Sequence, residues 1–459
     1  MPNNMLSHGS NKLRPFAFFL TSTAILFFGF FQNLWRVADR DSFDTYQIGM
    51  ESFIVGRLLK TKSDGLFSAG GLTGLIGPDS TPPDTEHANY RFQYKAYLES
   101  LPFQSYAAYK SQTGGQGMLF GMLDEILPWS SQDKLSFFHG LTSILSAAVL
   151  SLVFLWFTSE FGLAAGVTAL IGTALSQWLT LFGKNLWWSI WAFYLPMLIV
   201  LFCLKCAGRP LKLSPIRFGL VVFLAVLIKC FFNGFEYITT TLVMMAVPFV
   251  YFSFRDKTGW KNFISGLLAA MAASVMAILA SMTILCFQIA AVDGSFAKGV
   301  DHIIYSLLRR SYSDPQLFPP DYAASLNANV LDVVTYYLRE IYLDLNYYIK
   351  APNDFIANFV FQFRYLYLIL LFASISVALI FLLRSKQAAG LRPSGQALIA
   401  AVWFSLLAPL SWLIIFKAHS YVHTFMNNLV WQMPFTLFGF ALCGLALAAA
   451  VRVLRNRPV

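Results

Sequence analysis

Lys417, His419 and His423 fall within the stretch IFKAHSYVHTFMNN (Ile415–Asn428), between two long apolar runs. One lysine and two histidines within seven residues are poor material for a lipid-facing helix. They suit the holding of an anion. His419 and His423 stand four apart, a spacing at which two imidazoles can share a metal on a helix, but zinc needs a third ligand and catalytic zinc sites usually add a carboxylate. Phosphate binding by Lys417 and a histidine is the functional reading; a lysine snorkelling to the membrane interface is the structural one.

Five other clusters carry chemistry. RVADRDSFDTYQIGMESFIVGRLL (Arg36–Leu59) packs Asp39, Asp41 and Asp44 into six residues. Asp44, Gln47, Ile48 and Glu51 then recur at helical spacing, which predicts that Asp44 and Glu51 share a helix face two turns apart. Carboxylates at that place can act as a general base or as metal ligands, or simply complement the start of an interfacial helix. YKSQTGGQGMLFGMLDEILPW (Tyr109–Trp129) sets Gln112 and Gln116 around Gly114 and Gly115. Glycines admit a ligand close to the backbone and glutamines bond sugar hydroxyls; a turn into an interfacial helix is the alternative. DGLFSAGGLTG (Asp64–Gly74) is similarly glycine-rich, and neither stretch has the spacing of a phosphate-binding GxxxxGK[ST] loop.

FGKNLWWSIWAFYLP (Phe182–Pro196) places Lys184 and Asn185 in a turn before three tryptophans, an ordinary membrane-interface pattern. KCFFNGFEYITTT (Lys229–Thr241) puts Lys229 and Glu236 at the ends of two apolar segments, either as a mutual ion pair or as a functional site. HIIYSLLRRSYSDPQLFPPDY (His302–Tyr322) carries adjacent Arg309 and Arg310, whose planar forks fit a phosphate or anionic lipid headgroups.

What must position these residues is a membrane protein. The 459 residues are 57% apolar and 12% charged, against about 25% charged in soluble domains; mean hydropathy is +0.59. The net charge of +10 is read as basic cytoplasmic loops and not as a nucleic-acid surface. Cys203, Cys206, Cys230, Cys286 and Cys443 all lie in or beside apolar runs, so the long polar loops have no disulfide framework. A spanning helix needs about 20 mostly apolar residues. Ten candidates result: 16–35, 137–158, 163–182, 187–205, 216–232, 238–254, 263–290, 359–383, 396–416 and 425–450. The first is read as an uncleaved anchor. With the N-terminus inside, Lys12, Arg14, Lys205, Arg209, Lys212, Arg217, Arg255, Lys257, Lys261, Arg384, Lys386, Arg392, Arg452, Arg455 and Arg457 all fall on the cytoplasmic side. The sequence thus reads as one all-α polytopic membrane domain, 1–459, with two long extracytoplasmic loops, about 36–136 and 293–357, carrying interfacial helices. GPDSTPPD (Gly77–Asp84) reads as a turn. All six chemical clusters land on the outer face.

That layout resembles the GT-C superfamily of polytopic glycosyltransferases: acids opening the first outer loop, an aromatic turn after the third span, and a basic outer cluster late in the chain. The strings DSFDTYQIGMESFIVGRL, SQTGGQG and KAHSYVHTFMN also resemble bacterial membrane proteins associated with surface polysaccharides. The resemblance implies a bacterial inner-membrane hexosyl- or pentosyltransferase. Its donor would be a polyprenyl-phosphate-linked sugar, its acceptor a glycan, lipid or protein hydroxyl outside the cytoplasm, and transfer would invert the anomeric carbon. An acid of the first outer loop acts as base or metal ligand in such enzymes. That role carries onto Asp44 or Asp41, with Glu51 or Glu236 orienting substrate and Arg309, Arg310, Lys417 and His419 facing the phosphate. A divalent metal, Mg or Mn, stays open, because the one Asp-x-Asp here is Asp39–Arg40–Asp41. Two rivals share the composition: an O-antigen ligase or polysaccharide polymerase using a diphosphate-linked glycan, and a transporter or lipid flippase. Transporters usually show paired halves and broken helices at the midplane, and no halves are visible in the sequence.

Overall fold

The computed structural model describes residues 7–46, 48–77, 86–206, 214–257 and 259–455. The turn expected at 77–84 lies outside them beyond Gly77, as does Gln47. Helix α1 (Ser7–Gln32) leads to α2 (Arg40–Thr45), α3 (Ile48–Asp64), α4 (Glu86–Glu99) and α5 (Gly115–Ile126). A two-stranded antiparallel sheet pairs β1 (Gly74–Gly77) with β2 (Ser105–Ala108), on either side of α4 in the chain, within this first loop. Then follow α6 (Ser131–Phe161), α7 (Leu163–Ala174), α8 (Gln177–Gly183), α9 (Ile190–Cys206), α10 (Pro215–Asn233), α11 (Ile238–Asp256) and α12 (Trp260–Asp293). The second loop folds as α13 (Phe296–Arg310), α14 (Ala323–Asn327), α15 (Val330–Arg339) and a second small antiparallel sheet, β3 (Ile341–Asp344) with β4 (Gln362–Arg364). The chain closes with α16 (Tyr365–Leu382), α17 (Arg392–Ser405), α18 (Leu407–Ile415), α19 (Lys417–Val422) and α20 (Phe435–Arg455).

Among the described residues, eight helical stretches are long and apolar enough to cross a membrane, up to nine if α7 and α8 count as one span bent by 73°. The protein is a multi-pass, largely helical membrane protein. Two of the ten expected spans differ for local reasons. The 163–182 segment breaks because Ser176 turns inward to accept from Leu179 N and start α8. The 187–205 segment begins late: Asn185 Oδ1 accepts from Trp187 N at 2.9 Å, holding the tryptophans in a turn, and α9 is left with 17 residues.

In lipid, helices associate through close packing and hydrogen bonds more than through the hydrophobic effect. The α7–α20 contact shows both. A Cβ at Gly444 would stand 2.4 Å from Ala164 O, so only glycine lets the backbones meet there. Thr168 Oγ1 donates to Phe440 O at 2.8 Å across the same seam. Nearby, Trp156 meets Tyr251 and Phe157 meets Phe438 edge to face, with Trp156 tilted against Phe438, between α6, α11 and α20.

At one end of this bundle the loops converge. Tyr46 donates to Phe425 O (2.9 Å) and Tyr237 to Met426 O (2.9 Å). Leu186 N donates to Glu51 Oε2 (2.8 Å), and Ser189 N to Asn233 Oδ1 (2.9 Å). The polar clusters read from the sequence therefore gather at a single end.

Candidate functional site

Two cavities lie at that end, with Arg310 in the lining of both. The larger, about 390 Å³, is polar and aromatic, with Glu236, Arg309, Arg310, His419 and His423 on its wall and Tyr90, Tyr109, Trp187 and Tyr322 around them. The smaller, about 160 Å³, is apolar, walled by residues such as Phe235, Ile278, Leu285, Trp412 and Phe416, with Lys110, His302 and Arg310 at its edge.

Each element is held by a specific local device. Lys229 Nζ donates to Gly234 O (3.0 Å) and Glu236 O (2.6 Å), closing the turn between α10 and α11. Lys229 therefore satisfies main-chain carbonyls and does not pair with the Glu236 carboxylate, which is left to face the cavity. Arg309 and Arg310 end α13, whose exit is tied to α18 by Tyr312 OH donating to Ile414 O at 2.7 Å. Helix α19 is fixed from the side by Tyr337 OH donating to Ser420 O at 2.7 Å.

Arg310 Nη1 lies 3.3 Å from Glu236 Oε1, and Arg310 Nη2 lies 3.4 Å from Tyr109 OH. Glu236 Oε2 is buried and has no hydrogen-bond partner; His419 Nε2 stands 3.7 Å away. Arg309 donates to Tyr322 OH at 3.0 Å and lies over the Tyr322 ring. Burial, and then Arg310, His423 and Arg309, hold His419 far below the ordinary imidazole range. Burial, and then Arg310 and Arg309, bring His423 down to about 4. Both imidazoles are thus neutral near pH 7 and act as hydrogen-bonding groups, not as cations. The wall then carries two guanidinium groups, of which Arg310 meets the Glu236 carboxylate and Arg309 meets Tyr322, and it keeps an excess positive charge. Burial opposes the charge on Arg310, but Glu236 and Tyr109 outweigh it, so Arg310 stays protonated. At the edge of the apolar cavity, burial, then Lys110 and the arginines, lower His302 as well, while Lys110 is paired with Asp293 at 2.7 Å.

Of the residues singled out in the sequence, Arg309, Arg310, Glu236, His419 and His423 are brought together on this wall. The others lie elsewhere. Asp44 and Glu51 do not share a helix face. Asp44 lies on α2 and Glu51 on α3, and Tyr46, which follows α2, packs against Phe182 and Trp188. Asp44 is exposed beside Arg40, at 3.9 Å, and Asp41 is exposed in the first turn of α2, which Asp39 caps by accepting from Ser42 N. Glu51 is fully buried and saturated: it accepts from Tyr94 OH (2.7 Å), His139 Nε2 (2.7 Å) and Leu186 N. Lys184 Nζ lies 3.7 Å from the centre of the Phe43 ring, where burial disfavours its charge and Glu51 and Asp44 oppose that effect. Lys417 is buried with Nζ donating to Leu326 O (2.7 Å) and Ala328 O (2.8 Å), so it pins the α14 segment and does not line the cavity.

The glycine-rich stretches serve packing. A Cβ at Gly115 would come within 2.3 Å of Phe231. Gln112 is buried beside Gly234, and Gln116 donates to Trp187 O at 3.3 Å. Gln288 of α12 donates to Gly70 O (2.9 Å) and Thr113 O (3.0 Å), joining both stretches. Among the described residues, no group of three or more His, Cys, Asp or Glu side chains is placed to hold a metal.

The sequence reading missed Tyr109 and Tyr322, which hydrogen-bond the arginines, and His139, which holds Glu51. His139 did leave a signal, as an imidazole inside an apolar run. The tyrosines left none, because twenty tyrosines are spread along the chain. No family model, curated protein or solved structure matches the chain.

Proposed function

We propose that this protein is a membrane glycosyltransferase that moves a sugar from a polyprenyl-phosphate donor to an acceptor hydroxyl, with the site on the extracytoplasmic face. One observation carries the reading: Arg310 lines both the apolar and the polar cavity. The α10–α11 turn contributes Phe235 to one and Glu236 to the other, and the α18–α19 junction contributes Phe416 to one and His419 to the other. A lipid-linked sugar is an amphiphile with an apolar chain, an anionic phosphate and a polar head in that order. An apolar slot, a guanidinium and a polar aromatic chamber in sequence match those parts. The distribution of basic residues supports an outward-facing site, because the arginines and lysines of the short loops fall at the other ends of the spans.

The chemistry follows from charge. The donor is a phosphodiester with one negative charge; when its C1–O bond breaks, the leaving polyprenyl phosphate gains a second. Fixed cations at that place stabilise the transition state more than the ground state. Arg310 and Arg309 are those cations. The neutral imidazoles of His419 and His423 hydrogen-bond sugar hydroxyls, and the aromatic walls offer flat surfaces to the ring. Native mass spectrometry of the gently purified protein with undecaprenyl phosphate tests the reading: retention in the wild type and loss in Arg310→Ala is the expected result. Retention of a diphosphate-linked glycan instead would favour a ligase or polymerase, and no isoprenoid binding at all would sink both.

A further inference from the structure

We propose that Glu236 is the catalytic base of this site and that the donor itself unmasks it, the incoming phosphate drawing Arg310 away from the carboxylate. The inference rests on the lipid-phosphate reading above. Among the described residues that line the polar cavity, Glu236 is the one carboxylate. Glu51 has its oxygens filled by three donors, and Asp41 and Asp44 are exposed outside the lining. Glu236 has one oxygen on Arg310, at 3.3 Å, and the other buried without a hydrogen-bond donor. A buried acceptor left open costs about 1–3 kcal/mol; a substrate hydroxyl donating to it removes that cost.

Arg310 cannot serve both anions fully. In the empty site it neutralises Glu236. With a phosphodiester bound, the guanidinium is shared with or transferred to the phosphate, and Glu236 loses a counter-charge and gains an anionic neighbour. Both changes favour proton capture by Glu236. The base is thereby strengthened only when a donor is present. In the transfer step the acceptor oxygen attacks C1 and its O–H proton passes to Glu236. The electrons of the C1–O bond leave with the phosphate. The products are the glycoside, polyprenyl phosphate and protonated Glu236, which returns its proton to water as the phosphate departs.

The charged and titratable groups around Glu236 are Arg309 and Arg310 of α13, His419 and His423 at α19, Tyr109 of the first loop, Tyr322 before α14, Tyr237, and Lys229 of α10 on its main chain. The test must separate Glu236 from the histidines. Farnesyl methyl phosphate is a diester whose charge does not titrate near neutrality. Its binding to the full chain in detergent is measured by calorimetry at about pH 6, in two buffers of different ionisation heat. The expected result is fractional proton uptake on binding in the wild type, well below one proton per site because the base stays mostly ionised, and its loss in Glu236→Gln. Glu236→Gln also binds the diester at least about tenfold more tightly, because Arg310 no longer leaves a charged partner. A residue that merely positions Arg310 gives the opposite sign, weaker binding, and that result overturns the proposal. Uptake that persists in Glu236→Gln and vanishes in His419→Gln assigns the proton to His419 and also overturns it. If Glu236→Gln does not fold, Arg310→Lys provides the second arm, with weaker diester binding and reduced uptake expected; unchanged uptake counts against the exchange. Failure of the wild type to bind the diester at all sinks the lipid-phosphate reading itself, which keeps the two failures distinct.

Discussion

Glu51 Oε1 and His139 Nε2 meet at 2.7 Å and join α3 to α6 beneath the floor of the polar cavity, which α3 lines with Met50 and Phe53. Tyr94 and Leu186 complete the set of donors to the same carboxylate. Removing the acceptor takes a partner from the buried Leu186 N–H and from the half-buried Tyr94 and His139, so Glu51→Ala is expected to destabilise the fold by about 1–3 kcal/mol, read as a fall in thermal unfolding temperature in detergent. Glu51→Gln, which keeps one carbonyl oxygen, falls less. Loss of turnover in either variant at an unchanged melting temperature would return Glu51 to the chemistry.

Arg310 lines both cavities, and its planar fork reaches Glu236 and Tyr109 at once. A lysine presents a single ammonium and cannot bridge in this way. Arg310→Lys is expected to weaken undecaprenyl phosphate binding about tenfold, and Arg310→Ala about a hundredfold. Equal affinity in wild type and Arg310→Ala, measured by titration of the lipid, contradicts this.

Lys417 holds carbonyls 326 and 328. Replacing it by methionine keeps most of the apolar stem and removes the donor. Hydrogen exchange in residues 323–328 is expected to rise, while lipid-phosphate affinity falls by less than in Arg310→Lys. A hundredfold loss of lipid binding without a change in exchange would make Lys417 the phosphate ligand that the sequence led one to expect.

The lowered histidines make stability depend on pH. Between the ordinary imidazole value of 6.5 and about 4, folded His423 carries fewer protons than it does in the unfolded chain, and His419 shifts in the same direction. Unfolding therefore takes up protons, and stability falls as the pH is lowered through that window; above it these groups contribute no slope. Melting temperatures measured from pH 7 down to about 5 are expected to drop in the wild type and to drop less in a His419→Gln, His423→Gln double variant. An identical slope in both excludes the histidines as its source.

The first-loop aspartates and Glu236 make opposite claims on catalysis. A general base contributes roughly 10²–10⁴-fold. Glu236→Gln is expected to lose turnover in that range, and Asp44→Asn to lose at least about tenfold less. The reverse order, in variants with matched melting temperatures, would put the base on α2.

The sequence by itself determined that the chain lives in a membrane, since a continuous apolar run of spanning length has no other stable setting. It also located most of the helical segments, and it marked Arg309, Arg310, Glu236, His419 and His423, because charge at the end of an apolar run is costly and so stands out. It did not determine which of the marked residues face one another. Asp44 and Glu51 stand at helical spacing in the sequence, yet Asp44 on α2 is exposed beside Arg40 and Glu51 on α3 is fully buried. Lys417 and Arg310 looked alike as cations. The difference lies in partners distant in the chain: Leu326 and Ala328 carbonyls consume one, whereas a carboxylate and a cavity meet the other. Spacing along a helix is a local property. Whether a polar group is satisfied, buried or open to a ligand depends on contacts many residues away, and those only the tertiary structure decides.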